Sequence, residues 1–325
     1  MANGEPASMF LAQIAISSVH LLRSHDWYCQ ALGFVPAGTL RHREVPGRGF
    51  VSGLPEASLD VWCLMGGLDW LQFEIFEFQR PRMRPMPLDW RPSDLGYSTI
   101  GIVVGDFEDA LRRIRCTSGR PLTSPVGPPG DRRACLRDPD GVLLELLERD
   151  LSPAMGSTWA RRQQPAVRFV TLSVPDIDEA RRFWCAGLGL AEVDVALHRA
   201  DHELLWGLPG GMRKSATIAA GAAFIELVEY HSPAPRWRPP GYLLSDQGIL
   251  NVALGTGEER TFAATYERVI RAGYRPNSEP WHESGATVVY VNDGNGASVE
   301  LLHVSPAAME YMGFVPSAES ARQPL

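Results

Sequence analysis

The sequence predicts an α+β fold built from one strand–helix–three-strand unit used four times. Three observations lead there. An apolar strand carrying a single glutamate recurs at one repeating place: Glu74 in 71–78, Glu145 in 142–148, Glu226 in 224–230 and Glu300 in 298–302. Two of these strands are entered through matching turns, Asp138-Pro139-Asp140-Gly141 and Asp293-Gly294-Asn295-Gly296. Two helices end alike, with Trp27-Tyr28-Cys29 before Ala31-Leu32-Gly33-Phe34 and Phe183-Trp184-Cys185 before Gly187-Leu188-Gly189-Leu190. A strand alternates its faces with period two, so a lone carboxylate among apolar neighbours must meet water, a partner or a site.

The elements follow in order. Repeat one, about 9–78, opens with the short apolar strand 13–17, turns, and enters an amphipathic helix closed by Gly33. Repeat two, about 97–150, starts at Thr99-Ile100-Gly101-Ile102-Val103 and passes through Asp106 to a helix near Cys116. Repeat three, about 167–231, starts at Phe169-Val170-Thr171-Leu172-Ser173, with Asp176 as helix N-cap. Repeat four, about 248–304, starts at Asn251-Val252-Ala253-Leu254 and has a helix ending before Gly273. Repeats one and three share Gly53-Leu54-Pro55 and Gly207-Leu208-Pro209, then run into Pro/Arg-rich connections, 79–96 and 231–248, that cannot be regular helix or central strand. The segment 151–166 is polar with Pro153, Gly156 and Pro165, as a domain boundary is. The expectation is a first domain at 1–150 made of repeats one and two, and a second at 167–325 made of repeats three and four.

With 325 residues, 45% hydrophobic and 21% charged, the chain is long enough for two domains with sizeable cores. A net charge of −7 argues against nucleic acid as the main partner. No apolar run approaches the roughly 20 residues that span a bilayer, and residues 1–8 lack a secretory signal pattern. Five scattered cysteines without a C-x-x-C pair suit a reducing cytoplasm rather than a disulfide frame. The expected partner is a small molecule, with the chain a monomer or homodimer and no membrane attachment.

The strand, the helix with its Tyr/Trp-x-x-x-Leu-Gly-Phe/Leu end, and the Asp-Pro-Asp-Gly turn before a glutamate strand resemble the vicinal oxygen chelate superfamily, the glyoxalase, bleomycin-resistance and extradiol-dioxygenase group. The resemblance implies a glyoxalase-like fold in which βαβββ units pair into two cupped mixed sheets with helices on the outer faces. It further implies that site side chains enter each cup from the first and last strand of each unit. Carried over, the first domain would offer Gln13, Glu74, Thr99 and Glu145, and the second Phe169, Glu226, Asn251 and Glu300. Metal-holding relatives usually place histidine on the first strands, and none of Gln13, Thr99, Phe169 or Asn251 is histidine. A divalent metal in the first domain would then rest on Gln13, Glu74 and Glu145, an oxygen set suited to a hard ion such as Mg²⁺ or Mn²⁺.

Facing glutamates in a low-dielectric cup acquire raised pKa values and can trade a proton with a substrate carbon. The expectation is therefore a glyoxalase-like lyase or isomerase working next to a carbonyl, with Glu145, Glu74, Glu300 and Glu226 as candidate catalytic groups and Thr99 and Asn251 contacting substrate. The alternative is a metal-free protein sequestering an aromatic or antibiotic-like molecule, motivated by the missing histidines and nine tryptophans. An extradiol-type ring-cleaving dioxygenase draws only on the two-domain length. Ala15, Ser17, Gly101, Thr171 and Ala253 are small and should leave room inside the cups, while Ile14, Ile16, Ile100, Ile102, Val170 and Leu172 should face the helices. His198 and His202 read as surface or loop residues, and His303 points away from Glu300. Arg80, Arg82, Arg84 and Arg91 read as a solvated linker, or as a clamp for an anionic substrate.

Overall fold

A computed structural model describes residues 9–42, 51–54, 56–117, 119–151 and 164–315. The expected 151–166 linker lies largely outside these residues. Among the described residues no helix is long and apolar enough to cross a membrane.

Repeat one contributes β1 (Phe10–Ser17), β2 (Val35–His42), β3 (Ser58–Met65) and β4 (Gln72–Arg80). Its last strand returns parallel to its first, placing Glu74 beside Ala15, while β3 and β2 continue antiparallel outward. Repeat two has β5 (Gly96–Val103), β6 (Arg133–Arg137) and β7 (Leu143–Leu147). Its fourth strand is reduced to the isolated bridges Pro121–Leu136 and Val126–Arg133. Repeat three has β8 (Ala166–Ser173), β9 (Ala191–Val193), β10 (Met212–Ala220) and β11 (Ala223–Ser232). Repeat four has β12 (Gly248–Thr256), β13 (Trp281–Glu283), β14 (Ala286–Asn292) and β15 (Ser298–Val304). All four glutamates fall on the strand expected for them.

The pairing of repeats differs from the expected division at residue 150. One eight-stranded sheet runs β13-β14-β15-β12-β1-β4-β3-β2, and one seven-stranded sheet runs β6-β7-β5-β8-β11-β10-β9. Repeat one therefore closes a cup with repeat four, through antiparallel β1 and β12, and repeat two closes the other with repeat three, through β5 and β8. The Pro/Arg-rich connections, expected to stay inside one domain, instead carry the chain from one sheet to the other. They are tied to each other symmetrically. Arg84 reaches Asp246 through Nε (3.0 Å) and Nη2 (2.5 Å), and Arg236 reaches Asp94 through Nε (3.0 Å) and Nη2 (2.6 Å). Backbone bonds from Gln247 to Arg84 and from Leu95 to Arg236 lock the same crossing. Arg84 and Arg91, the latter bound to Asp94 at 2.9 Å, are thus struts rather than a substrate clamp.

The helix Leu21–Trp27 widens into a π-turn over Tyr28–Leu32 and stops at Gly33, whose φ of 90° is open to glycine. Its counterpart Ile177–Arg181 repeats the widening over Arg182–Gly187 and is capped as expected, Asp176 accepting from the amides of Asp178 and Glu179. The convex faces of both sheets feed one apolar core. Ile14, Ile16, Ile100, Ile102, Val170, Leu172, Val252 and Leu254 share it with Trp27, Tyr28, Phe107, Phe183 and Trp184 from the helices.

Candidate active site

The two cups hold the same four glutamates in opposite states. In the seven-stranded sheet, Glu145 on β7 and Glu226 on β11 lie on either side of His198, which comes in on the segment after β9. His198 Nδ1 stands 2.7 Å from Glu226 Oε1, and Nε2 stands 3.3 Å from Glu145 Oε2 at ion-pair distance. Glu145 also binds Arg133 at 2.7 Å and the Trp206 indole at 2.9 Å. Glu226 accepts from Thr171 at 2.8 Å and Arg213 at 3.0 Å, and Arg213 pairs with Glu203 as well. Three carboxylates thus meet three cations.

Burial alone would lift the pKa of both glutamates, but His198 with Arg133 holds Glu145 down to about 2, and His198 with Arg213 and Thr171 holds Glu226 at about 2. Burial would drive His198 toward neutrality, and the two carboxylates override it, raising it to about 9. Both glutamates are therefore ionised and His198 cationic at neutral pH. The space above them is filled. The Trp206 ring lies 4.7 Å from His198, Phe169 lies 4.9 Å from it, and the Phe169 ring occupies the room left by Gly101, where an added Cβ would come within 2.0 Å. Thr99 sits buried in β5 of this same filled cup.

The eight-stranded cup is open. Gln13, Glu74, Tyr290 and Glu300 face a cavity of about 150 Å³ walled by Leu59, Val61, Phe76, Val288, Trp281 and Met312. Small residues set its floor, as expected. Ala15 stands between Glu74 and Asn251 in register, and Ala253 between Gln13 and Glu300. Gln13 Nε2 donates to Gln72 (2.7 Å) and Glu74 (3.0 Å), and Asn251 Nδ2 reaches Glu300 at 3.4 Å. Tyr290, directly across from Glu300 on the neighbouring strand, also hydrogen-bonds it.

Among the described residues no cation pairs with these two carboxyls, and burial with the charge of Glu300 pushes Glu74 well above the usual range. Burial raises Glu300 to about 7 against the hydrogen bonds from Tyr290 and Asn251. Both carboxyls are thus held protonated to higher pH than an ordinary glutamate, two charges in one buried site being disfavoured. Among the described residues the buried amide oxygens Gln13 Oε1 and Asn251 Oδ1 have no partners. A strap at 305–314 borders the mouth, tied down where Gln72 Nε2 donates to the Met312 carbonyl at 2.9 Å.

The four expected pairs of first- and last-strand residues are thus sorted differently from the carry-over. Gln13 and Glu74 meet Asn251 and Glu300; Thr99 and Glu145 meet Phe169 and Glu226. A set of Gln13, Glu74 and Glu145 is not brought together, because Glu145 lies in the other sheet. His198, read as a surface or loop residue, lies on the irregular stretch after β9 but with its side chain fully buried, and His202 is 2% exposed. The approach to Trp206 also carries Arg199, Asp201, His202 and Glu203, so nothing in the sequence singles out His198 as buried.

A family model described as the Glyoxalase/Bleomycin resistance protein/Dioxygenase superfamily matches residues 11–146 and 166–301. Each match spans two consecutive repeats, which in this chain belong to different cups. Among solved structures, glyoxalase I from Zea mays is similar over 94% of both chains at 16% identity, with a TM-score of 0.63. A Bacillus subtilis protein described as a "putative dioxygenase" is similar over 95% of this chain and 91% of that one at 14% identity, with a TM-score of 0.65. At such identities the likeness shows the fold. No curated protein matches the sequence.

Proposed function

Since the chain belongs to the glyoxalase, bleomycin resistance protein and dioxygenase superfamily, we propose that its open cup transfers a proton at a carbon next to a carbonyl in a small organic molecule. Glu74 and Glu300 are the acid–base pair. The observation that carries the reading is the contrast between the cups. Glu145 and Glu226 are paired with the cations His198, Arg133 and Arg213, whereas Glu74 and Glu300 face a cavity with both carboxyls raised, Glu300 to about 7. A catalytic base works best when its pKa lies near the working pH.

The ionised member of the pair removes the proton from the carbon, so that a C–H bond breaks as an O–H bond forms on the carboxyl. Negative charge moves to the carbonyl oxygen, where the Tyr290 hydroxyl, kept protonated by burial and by its two carboxyl neighbours, is placed to donate. A protonated carboxyl of the pair then returns a proton to that same carbon as the carbonyl re-forms, so the hydrogen there exchanges with solvent and delivery from the opposite face gives the epimer, with no redox partner needed. Leu59, Val61, Phe76 and Val288 exclude water from these steps.

Among the described residues no three His, Cys, Asp or Glu side chains converge as a metal group. The cup nevertheless fits a hard divalent cation when its amides are counted, because Glu74 and Glu300 supply charge and the unpartnered Gln13 Oε1 and Asn251 Oδ1 supply two neutral oxygens. Such an ion would polarise the substrate carbonyl. The absence of histidine from both first-strand positions gives no support to a ring-cleaving iron site.

Proton exchange tests this reading. In D₂O, NMR should show exchange at the carbon beside the carbonyl for a member of a panel of small hydroxyketones. The rate should fall by about 10²-fold or more in Glu300→Gln and in Glu74→Gln. A compound bound in the cup but recovered without exchange would favour the sequestering protein instead.

A further inference from the structure

We propose that the chain has a second binding site, outside the cups, for a small zwitterion with an apolar body, of the α-amino-acid class. It is a cleft of about 300 Å³ between the 233–247 connection and the turn at 293–297, lined by Arg238, Trp237, Tyr242, Pro175 and Asp293. The Asp293 carboxyl is held by the backbone amides of its own turn and feels the charge of Arg238 across the cleft. Its Oδ1 accepts from the amides of Asn295 (2.8 Å) and Ala297 (2.9 Å), while Oδ2, on a residue 1% exposed, is buried with no partner. On the other wall the Arg238 guanidinium lies 4.2 Å over the Tyr242 ring, its Nε directed at the Leu95 carbonyl at 3.4 Å. Among the described residues Arg238 forms no ion pair. An anion-seeking and a cation-seeking group are thus fixed on one cleft, unjoined, with the exposed indole of Trp237 beside them.

The internal repeat shows that this is not simply what the fold requires. At the corresponding turn of repeat two, Asp138 uses the same two backbone amides, but its Oδ2 takes the Tyr28 hydroxyl at 2.8 Å. The residue matched to Tyr28 is Trp184, whose indole nitrogen has no partner among the described residues. Two residues beyond the strut Arg84 comes Met86, which packs beside Gly248; two beyond the matching strut Arg236 comes Arg238, packed so tightly on Gly96 that a Cβ there would lie 2.3 Å from it. One copy is closed with a thioether and a hydroxyl. The other keeps a guanidinium, a buried carboxyl oxygen without a partner among the described residues, and a cavity. A ligand's ammonium would meet Asp293 Oδ2, its carboxylate Arg238, and its side chain Trp237 and the prolines.

L-Phenylalanine is the probe, titrated calorimetrically into the full chain beside phenethylamine, which lacks the carboxylate, and 3-phenylpropionate, which lacks the amine. The expected result is saturable binding of phenylalanine with each single-function analogue weaker by about tenfold or more. Arg238→Met, which installs the residue found in the other repeat, should weaken phenylalanine by a similar factor, and Glu300→Gln should leave it unchanged. Phenylpropionate binding as tightly as phenylalanine, unaltered binding to Arg238→Met, or no saturable heat with phenylalanine would each overturn the proposal.

Discussion

Removing His198 should unlatch the filled cup, and the cost can be worked out from its surroundings. A histidine raised from 6.5 to about 9 is favoured in the folded state by its proton. Its contribution is fully present below pH 6.5 and is lost as pH rises through 9. The shift of about 2.5 units corresponds to about 3 kcal/mol, of which about 2 kcal/mol disappears between pH 7.5 and 9.5. His198→Ala also strands the Glu145 and Glu226 carboxylates, and breaking a buried charge pair typically costs about 3–5 kcal/mol. Urea unfolding followed by tryptophan fluorescence, at pH 7.5 and pH 9.5, measures both effects. The wild type should lose stability across that interval, and His198→Ala should be destabilised at pH 7.5 yet flatter between the two. A variant within about 1 kcal/mol of wild type at pH 7.5, with the same pH slope, would refute the latch.

Glu300→Gln should change stability in the opposite sense. A carboxyl raised to about 7 weakens the folded state as pH climbs from 4.5 through 7, so the variant should gain on wild type over that interval in the same urea assay. Gly101→Ala should cost about 1–3 kcal/mol or more, because its methyl would meet the buried Phe169 ring; unchanged thermal stability would show that the ring can move aside. Tyr28→Phe deprives buried Asp138 of a donor and should cost about 1–3 kcal/mol. Burial and the charge of Asp140 hold Asp138 at about 7 even with that hydrogen bond in place, and losing it raises the carboxyl further, so the loss should be larger at pH 8 than at pH 6.

The repeating unit was legible because each of its parts has a local cause. The glutamate strands, the Asp138 and Asp293 turns, and the helix ends at Gly33 and Gly189 are written in short stretches and recur with the fold. Which repeat closes with which was not legible. β1, β5, β8 and β12 are equivalent edges, and the choice is made by contacts about 140–160 residues apart, Arg84 with Asp246 and Arg236 with Asp94. The same degeneracy misplaced Glu145 beside Glu74. Glu300 and Asn251 carried the right residue types for the site, but only the sheet order shows that they face Gln13 and Glu74. The fate of the second cup was hidden for a related reason, since His198 and Trp206 reach Glu226 and Glu145 from the stretch between β9 and β10, which is neither strand nor α-helix, and Arg213 reaches Glu226 from the start of β10.

The most direct test of two like-built cups in opposite charge states is a ¹³C NMR titration of the glutamate side-chain carboxyls, assigned with single Glu→Gln variants. Glu74 and Glu300 should titrate together, with Glu300 near pH 7, while Glu145 and Glu226 stay ionised down to about pH 2 or until the chain unfolds. Ordinary titration near pH 4.5 at Glu74 and Glu300, or a neutral Glu145 at pH 6, would contradict the assignment of the open cup as the working one.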